Sequence, residues 1–253
     1  MNYRLKKTLR ILTFAIILLG IWEGLFALHL WPVWLFPAPA AVGKTLLRGF
    51  SDGSIPVAIL VSIRRLLIGF FISIVIGTLL GLFLAKNKTA EDTLHPFILG
   101  LQTLPSICWL PLALLWFGLN ERAILFVIVM GTVLSITISV KGAISHIPRS
   151  YLKAGKMLGA HGFLLYRHIL FPAILPSYIH AMRHGWSFAW RSLMSGEMLF
   201  VTAGLGQLLM LGRELNDLSR VMAIMAVIIF IGFLFDQTIF AKLEKNLKLR
   251  WGV

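Results

Sequence analysis

Ionisable side chains are concentrated in one apolar stretch of this sequence, residues 171–199. Five of them occur there: His180, Arg183, His184, Arg191 and Glu197. Charged groups within an apolar helix are costly, so they usually face one another or a water-filled interior. Two interpretations of the charged residues therefore stay open. They form structural ion pairs, such as Arg191 with Glu197 or with a carbonyl of a neighbouring helix, or they line a route that eases the passage of an anion.

The two histidines have the spacing of a metal-binding pair, since His180 and His184 are four residues apart. No HExxH arrangement accompanies them and no third ligand is identifiable, so we predict polar lining of the route rather than a metal site. Cys108 is the single cysteine, which excludes a CxxC pair. Three further polar residues are predicted to face the same route: Gln102, Thr103 and Ser106.

The sequence carries no motif for catalysis by this chain. Gly43, Lys44 and Thr45 resemble the end of a phosphate-binding loop, but the pattern requires a glycine at position 38, which is Ala38. No nucleophile elbow, zinc motif or pair of intramembrane aspartates is present. We therefore expect a protein that is not an enzyme and does not hydrolyse ATP itself.

Composition places these residues in a membrane. The 253 residues are 58% hydrophobic and 13% charged, with a mean hydropathy of +0.86. A soluble domain has about 25% charged residues, and a membrane span needs about 20 apolar ones. We predict an all-α polytopic protein with six spans, the first one uncleaved. The predicted spans are residues 11–28, 66–85, 97–119, 123–140, 171–199 and 221–241.

Glycines at 69, 77 and 81 are predicted to be packing sites between these helices, because small residues let membrane helices approach closely. The net charge of +14 would suggest a nucleic-acid partner in a soluble protein. Here it indicates topology. With alternating spans, fifteen Lys and Arg residues lie on the side of the termini and five on the other. Both termini are therefore expected in the cytoplasm, with no nucleic-acid partner.

Two loops divide the chain. Residues 1–55 are expected to hold the tail, the first span and an external loop with a short helix near 41–50, which follows Pro37 and Pro39. Residues 56–243 form the core, and 244–253 a basic cytoplasmic tail. Within the core, residues 142–170 predict a cytoplasmic helix, a break at Gly159 and a second helical piece at 163–169. The first helix has an apolar face, formed by Tyr151, Leu152, Met157 and Leu158.

On physical grounds this amphipathic segment lies on anionic lipid or docks a cytoplasmic partner. Its sequence resembles the cytoplasmic signature of the permease subunits of bacterial ABC importers, E-A-A-x3-G-x9-I-x-L-P. Four residues match at the expected spacing: Ala154, Gly159, Ile169 and Pro172. Three differ, standing where the pattern has Glu, Ala and Leu: Lys153, Gly155 and Phe171.

The resemblance to this family extends along most of residues 55–250, and it is strongest to the nitrate, sulfonate and taurine branch. Five more segments carry it in the same order: residues 62–69, 104–118, 158–160, 195–199 and 204–206. An autonomous secondary transporter or channel for a small anion is the alternative. The cytoplasmic signature and the lack of a recognisable two-repeat organisation argue against it.

The resemblance implies a type I ABC importer permease in the bacterial inner membrane, moving a small, anionic solute into the cytoplasm. It implies a second permease copy, two cytoplasmic ATP-binding subunits that hold ATP and Mg, and an extracytoplasmic substrate-binding protein. ATP binding would rock the permeases so that the route opens outward. The loop would be a coupling helix seated on the ATPase, formed by Tyr151, Leu152, Lys153, Ala154, Gly155, Met157, Leu158, Gly159 and Ala160. Lys153 is a cation where the family has an anion.

Overall fold

The structure is a computed structural model that describes residues 3–147, 149–157, 159, 161–165, 167–168, 171–199, 203–244 and 247. Every regular element in these ranges is helical, which confirms the predicted all-α class. The helices are α1 (Tyr3–Ala27), α2 (Pro39–Ser51), α3 (Ser54–Lys86), α4 (Lys88–Gln102), α5 (Leu110–Phe117), α6 (Glu121–Ser145), α7 (Arg149–Met157), α8 (Gly162–Leu165), α9 (Phe171–Glu197), α10 (Leu205–Glu214) and α11 (Leu218–Phe235).

Three described helices are long and apolar enough to cross a membrane: Ser54–Lys86, Glu121–Ser145 and Leu218–Glu244. The last of these continues α11 through a π-helical turn, Asp236–Phe240. A fourth span results if α4 and the helical segment after it count as one. The other two predicted spans are helical but less apolar. In α1 the apolar part is Leu12–Ala27, and α9 carries the ionisable residues named above.

The third predicted span, residues 97–119, is wrong as a single straight helix. α4 ends at Gln102, a 3₁₀ turn follows at Ser106–Trp109, and α5 continues from Leu110, with a bend of 102° between the two parts. Pro105 explains the break, because proline lacks a backbone donor and disfavours helical geometry in the residue before it. The chain therefore turns a corner at residues 103–105.

The core is built on α6, which packs along both α3 and α9. The predicted glycine packing sites are confirmed on the α3 side. A Cβ atom at Gly77 would lie 3.0 Å from the carbonyl oxygen of Val133, and one at Gly81 would lie 2.9 Å from that of Thr137. A Cβ at Gly69 would lie 2.6 Å from the Ile128 side chain. Backbone contact along this line sets the spacing of α3 and α6.

A second apolar cluster joins α10, α11 and the start of α3. The short predicted helix of the external loop is confirmed as α2, which packs on α11 and α3. Its first residue is Pro39, a position where the missing N–H has no helical partner to lose. The buried side chains of this cluster are Ile55, Ala58, Leu205, Ile224, Val227 and Ile231.

Candidate functional site

Glu197 lies at the centre of a buried polar network at the end of α9. Its side chain is fully buried, and Arg65 of α3 donates to it at 3.0 Å. The Ser62 hydroxyl donates at 2.7 Å, and the backbone N–H of Gly206 donates at 3.0 Å. A buried carboxylate is tolerated when a cation and several hydrogen bonds surround it. The network meets that condition.

The same network ties together four helices. Arg65, which is 3% exposed, also bonds Glu121 at the start of α6 at 3.1 Å and the carbonyl of Ala203 at 2.7 Å. Ser62 accepts a hydrogen bond from the N–H of Leu205, the first residue of α10. A Cβ atom at Gly204 would lie 2.5 Å from the Glu197 carboxyl carbon. Residue 204 must be glycine because any side chain there would collide with the Glu197 carboxylate.

Glu197 therefore has a structural environment and is not among the residues that line the cavity described below. Of the two interpretations left open by the sequence, an ion pair describes Glu197. The partner proposed for it was wrong, because Glu197 pairs with Arg65 and not with Arg191.

Two other predicted route residues lie in a second ion-pair group, between α9 and the helix that continues α11. Arg183 donates to both carboxylate oxygens of Asp236 at 2.6 Å and to Glu244 at 2.9 Å. His180 Nδ1 lies 3.6 Å from a Glu244 oxygen. His184 stacks on Phe188 with ring centroids 6.0 Å apart. The structure does not bring these three α9 residues, Arg183 and the two histidines, into the cavity.

A cavity of about 600 Å³ lies between the corner at residues 103–105, α6 and α9. Four residues predicted for the route line it: Gln102, Thr103, Ser106 and Arg191. The first three lie at the corner, where α4 ends and the 3₁₀ turn begins. The broken helix is thus the element that forms one wall of the cavity.

Two polar residues of the cavity, Ser192 and Ser195, were not among the predicted route residues. With Phe188 and Arg191 they occupy positions i, i+3, i+4 and i+7 of α9, which lie on one helix face. This helical spacing is the sequence pattern from which Ser192 and Ser195 could have been predicted. The side chain of Ser106 reaches the same place, with its Oγ 3.4 Å from Ser195 Oγ.

Arg191 has an environment unlike that of Arg64, Arg65 and Arg183, the other arginines that lie one or more turns inside α3 and α9. Its Nε donates to the backbone oxygen of Ser187 at 3.3 Å, and its guanidinium carbon lies 4.5 Å from the centre of the Phe188 ring. Within the described ranges no carboxylate lies within 4.0 Å of it, whereas Arg64, Arg65 and Arg183 each have at least one. Arg191, whose side chain is exposed, therefore gives the cavity a positive charge that is paired with no carboxylate of the described residues.

The predicted cytoplasmic loop is a helix, α7, followed by a break at Gly159 and a second short helix, α8. Gly159 has φ of +79°, and no atom would contact a Cβ placed there, so its backbone conformation is what calls for glycine. Met157 is 89% exposed, and Lys153 and Ala154 are also exposed. Gly155 is buried. Leu158 and Ala160 lie outside the described residues, as do the side chains of Tyr151 and Leu152.

Comparison with known proteins places this architecture in a family. Residues 73–243 match the family described as binding-protein-dependent transport system inner membrane component. A putative ABC transporter permease of Methanocaldococcus jannaschii is 31% identical over 86% of this chain and 83% of its own length. The taurine transport system permease of Escherichia coli is 26% identical over 91% of this chain and 86% of its own length.

The fold also has a solved counterpart. A chain of the MetNI methionine ABC transporter, in an inward-facing conformation, superposes with a TM-score of 0.59 over 75% of this chain and 96% of that chain. At a sequence identity of 17%, this similarity concerns the fold alone. The resemblance noted in the sequence, including the branch with the taurine permease, is confirmed by these matches.

The buried network predicts strong coupling between Arg65 and Glu197. Replacing either residue by Met should lower the free energy of unfolding by about 3–5 kcal/mol, because the remaining charge is left buried and unpaired. The double variant should be less destabilised than the sum of the two. SDS-induced unfolding of the purified protein in mixed micelles measures all three values.

Arg64, which precedes Arg65 on α3, gives a matched control for this unfolding experiment. Arg64 bonds Glu121 at 2.8 Å, but both side chains are exposed, at 59% and 46%. Its replacement by Met should therefore cost about 0–1 kcal/mol. Additive losses for the Arg65 and Glu197 variants, or an equal loss for Arg64→Met, would contradict the structural role of the network.

Proposed function

This chain belongs to the family of binding-protein-dependent transport system inner membrane components, and we propose that it is the membrane permease subunit of an ATP-driven importer for a small anionic solute. It is a transport subunit. ATP and Mg bind to separate partner subunits in this proposal. The observation that carries it is the family match over residues 73–243, which includes the cytoplasmic loop, the cavity and Glu197.

The charge of the cavity supports an anionic solute. Arg191 presents a positive charge to a space that also contains the hydroxyls of Ser106, Ser192 and Ser195. The related Escherichia coli protein is named for taurine, which carries a sulfonate group. A cation in a water-accessible cavity of a membrane protein favours passage of anions.

We assign six membrane crossings to the chain, with α1 and α9 added to the four apolar candidates and both termini in the cytoplasm. The distribution of Lys and Arg supports this orientation. The protein would then be a multi-pass component of the bacterial inner membrane. α2 and the Arg65–Glu197 network would lie towards the outside, where a substrate-binding protein docks. The network of Arg183, Asp236 and Glu244 would lie towards the cytoplasm.

A second copy of the chain is expected to complete the route. Many large apolar side chains remain exposed on α5 and α11, including Leu115, Trp116, Phe230 and Phe233. Lipid covers part of this surface, and a partner related by a twofold axis covers the rest. Two ATP-binding subunits would sit beneath the pair.

The cytoplasmic loop is proposed as the coupling segment to the ATPase. The exposed Met157 is the last residue of α7, whose sequence is amphipathic, and amphipathic helices bind in apolar grooves. The left-handed backbone of Gly159 ends this helix sharply, so that the segment can protrude. ATP binding to the partner would move this segment and thereby open the route outward.

The assigned orientation predicts the side from which two positions react. In a background carrying Cys108→Ser, Ser150→Cys should react with a membrane-impermeant maleimide only from the cytoplasm, and Asp52→Cys only from the outside. Both native residues are exposed. Labelling of intact spheroplasts and of inverted vesicles measures this. The reverse pattern would overturn the orientation, and with it the coupling proposal.

The coupling segment predicts the effect of charge at its apolar face. Replacing Met157 and Leu158 together by Asp should weaken association with the partner ATPase at least 100-fold, since each buried side chain contributes about 1.5–3 kcal/mol. ATP-dependent solute uptake into proteoliposomes should be lost while the chain still inserts. Leu47→Asp is the matched control, because Leu47 is exposed on α2 at the opposite side.

Two further variants separate conformation and charge within this segment. Gly159→Val should impair ATPase binding, because valine disfavours positive φ, whereas Gly159→Asn should be tolerated better. Lys153→Glu should also impair binding if Lys153 meets an acidic group on its own ATPase. Normal binding and transport by the double Asp variant, or uptake by the chain without any ATPase, would instead support an autonomous transporter.

A further inference from the structure

We propose that the cavity is a binding site for a small organic oxyanion, with the negatively charged head at Arg191 and an apolar body against the aromatic wall. This inference rests on the proposed transport function and adds a site within the membrane helices. It assigns a substrate-binding role to Ser192 and Ser195 and a selectivity for organic over inorganic anions. These assignments come from the charges, hydroxyls and volume of the cavity.

Arg191 places a positive charge within a predicted membrane span. Arg191 lies six residues before the end of α9, about 9 Å along the helix axis, and thus within the predicted span. Its guanidinium is held in place by the Ser187 carbonyl and the Phe188 ring, which leaves its terminal nitrogens directed to no carboxylate of the described chain. Guanidinium groups favour bidentate bonds to oxyanions. An anionic ligand would supply the missing negative charge.

Three serine hydroxyls lie near Arg191 at the cavity. Ser192 is 1% exposed and lines the cavity, yet its Oγ has no hydrogen-bond partner among the described residues. A buried hydroxyl without a hydrogen-bond partner is unfavourable, because it has lost its bonds to water without gaining others. Ser106 and Ser195 lie beside it, with their Oγ atoms 3.4 Å apart. Ser195 Oγ donates to the backbone oxygen of Arg191 at 3.1 Å. If the hydroxyls of Ser195 and Ser106 turn towards the cavity, they can donate to the oxygens of an anionic head that Arg191 also holds.

The convergence of three elements at this point is set by Gly131 of α6. A Cβ atom there would collide first with Ser192 Oγ, which packs against this glycine, and would lie 3.0 Å from Ser192 Cβ and 3.2 Å from Ser106 Cβ. Any larger residue would push α9 and the corner apart from α6. The glycine thus brings the two serines within reach of the same small group. This close approach is a feature expected of a formed site.

The remaining surface argues for an organic body. Apolar side chains make up most of the lining, including Trp109, Met130, Phe188 and Trp190. A volume of about 600 Å³ lies in the range of sites for small organic ligands and greatly exceeds a bare inorganic oxyanion. The cavity therefore combines a polar end with an apolar body. Sulfonate, phosphonate and carboxylate heads share the required chemistry, and alkanesulfonates serve as probes.

The test uses the permease–ATPase complex in lipid nanodiscs, without nucleotide. Equilibrium binding of radiolabelled butane-1-sulfonate is measured at constant ionic strength, with methanesulfonate as the short probe of the same head. Butanesulfonate should bind at least about tenfold more tightly, because its longer chain buries more apolar surface. Arg191→Gln should weaken its binding at least about tenfold, since it removes a charge-assisted bond.

Ser192→Ala keeps the test independent of any folding defect caused by the Arg191 variant. This change removes one hydroxyl from a small buried residue and should weaken binding about 3- to 10-fold. Ser177→Ala is the matched control, because Ser177 is exposed on the same helix and is not among the residues that line the cavity. It should bind butanesulfonate as the unmodified complex does.

Three results would overturn the site. Unchanged binding in both Arg191→Gln and Ser192→Ala would show that these two side chains do not contact the head group. Equal affinity for methanesulfonate and butanesulfonate would show that the apolar part of the cavity does not bind the alkyl chain. No sulfonate binding by a complex whose ATP hydrolysis is still stimulated by its binding protein would overturn this inference and leave the proposed function intact. Failure of the chain to associate with any ATPase would instead overturn the proposed function.

Discussion

A charge buried in an apolar helical bundle requires an opposite charge and hydrogen bonds around it, and the Arg65–Glu197 pair is built on that requirement. Arg65 and Glu197 come from helices that do not follow one another in sequence, and Ser62, Glu121 and the start of α10 complete their hydrogen bonds. Satisfying this pair positions α3, α6, α9 and α10 at one end of the bundle. The glycine contacts between α3 and α6 then set the spacing below it.

This requirement also separates structural charges from functional ones. Arg64, Arg65 and Arg183 have carboxylate partners in the described chain. Arg191 has a carbonyl and an aromatic ring instead, and it lines the cavity beside hydroxyl groups. Because charges inside a membrane are retained only where they are paired or solvated, we propose that Arg191, which has no carboxylate partner among the described residues and lines the cavity, contacts the solute. The cavity is placed beside it by the corner at Pro105.

Much of the fold followed from sequence pattern, and the exceptions have physical causes. Apolar length predicted the helices, and the proline-led start of α2 and the break at Gly159 were read from residue type. The bend after Gln102 was missed because an uncharged run contains no signal for direction, although Pro105 marked the place. The partner of Glu197 was missed because long-range pairing has no local pattern. Ser192 and Ser195 were missed although they shared the helix face of Arg191.

The most direct test of the account is whether the Arg191 cavity opens to opposite sides under control of ATP. Thr103 is exposed, lines this cavity and lies outside the proposed group of oxyanion contacts. In the complex carrying Cys108→Ser and Thr103→Cys, reaction with impermeant maleimides is measured from each side, without nucleotide and with ATP trapped by vanadate. The account predicts labelling from the cytoplasm without nucleotide and from the outside in the trapped state. Labelling from the same side in both states would contradict it.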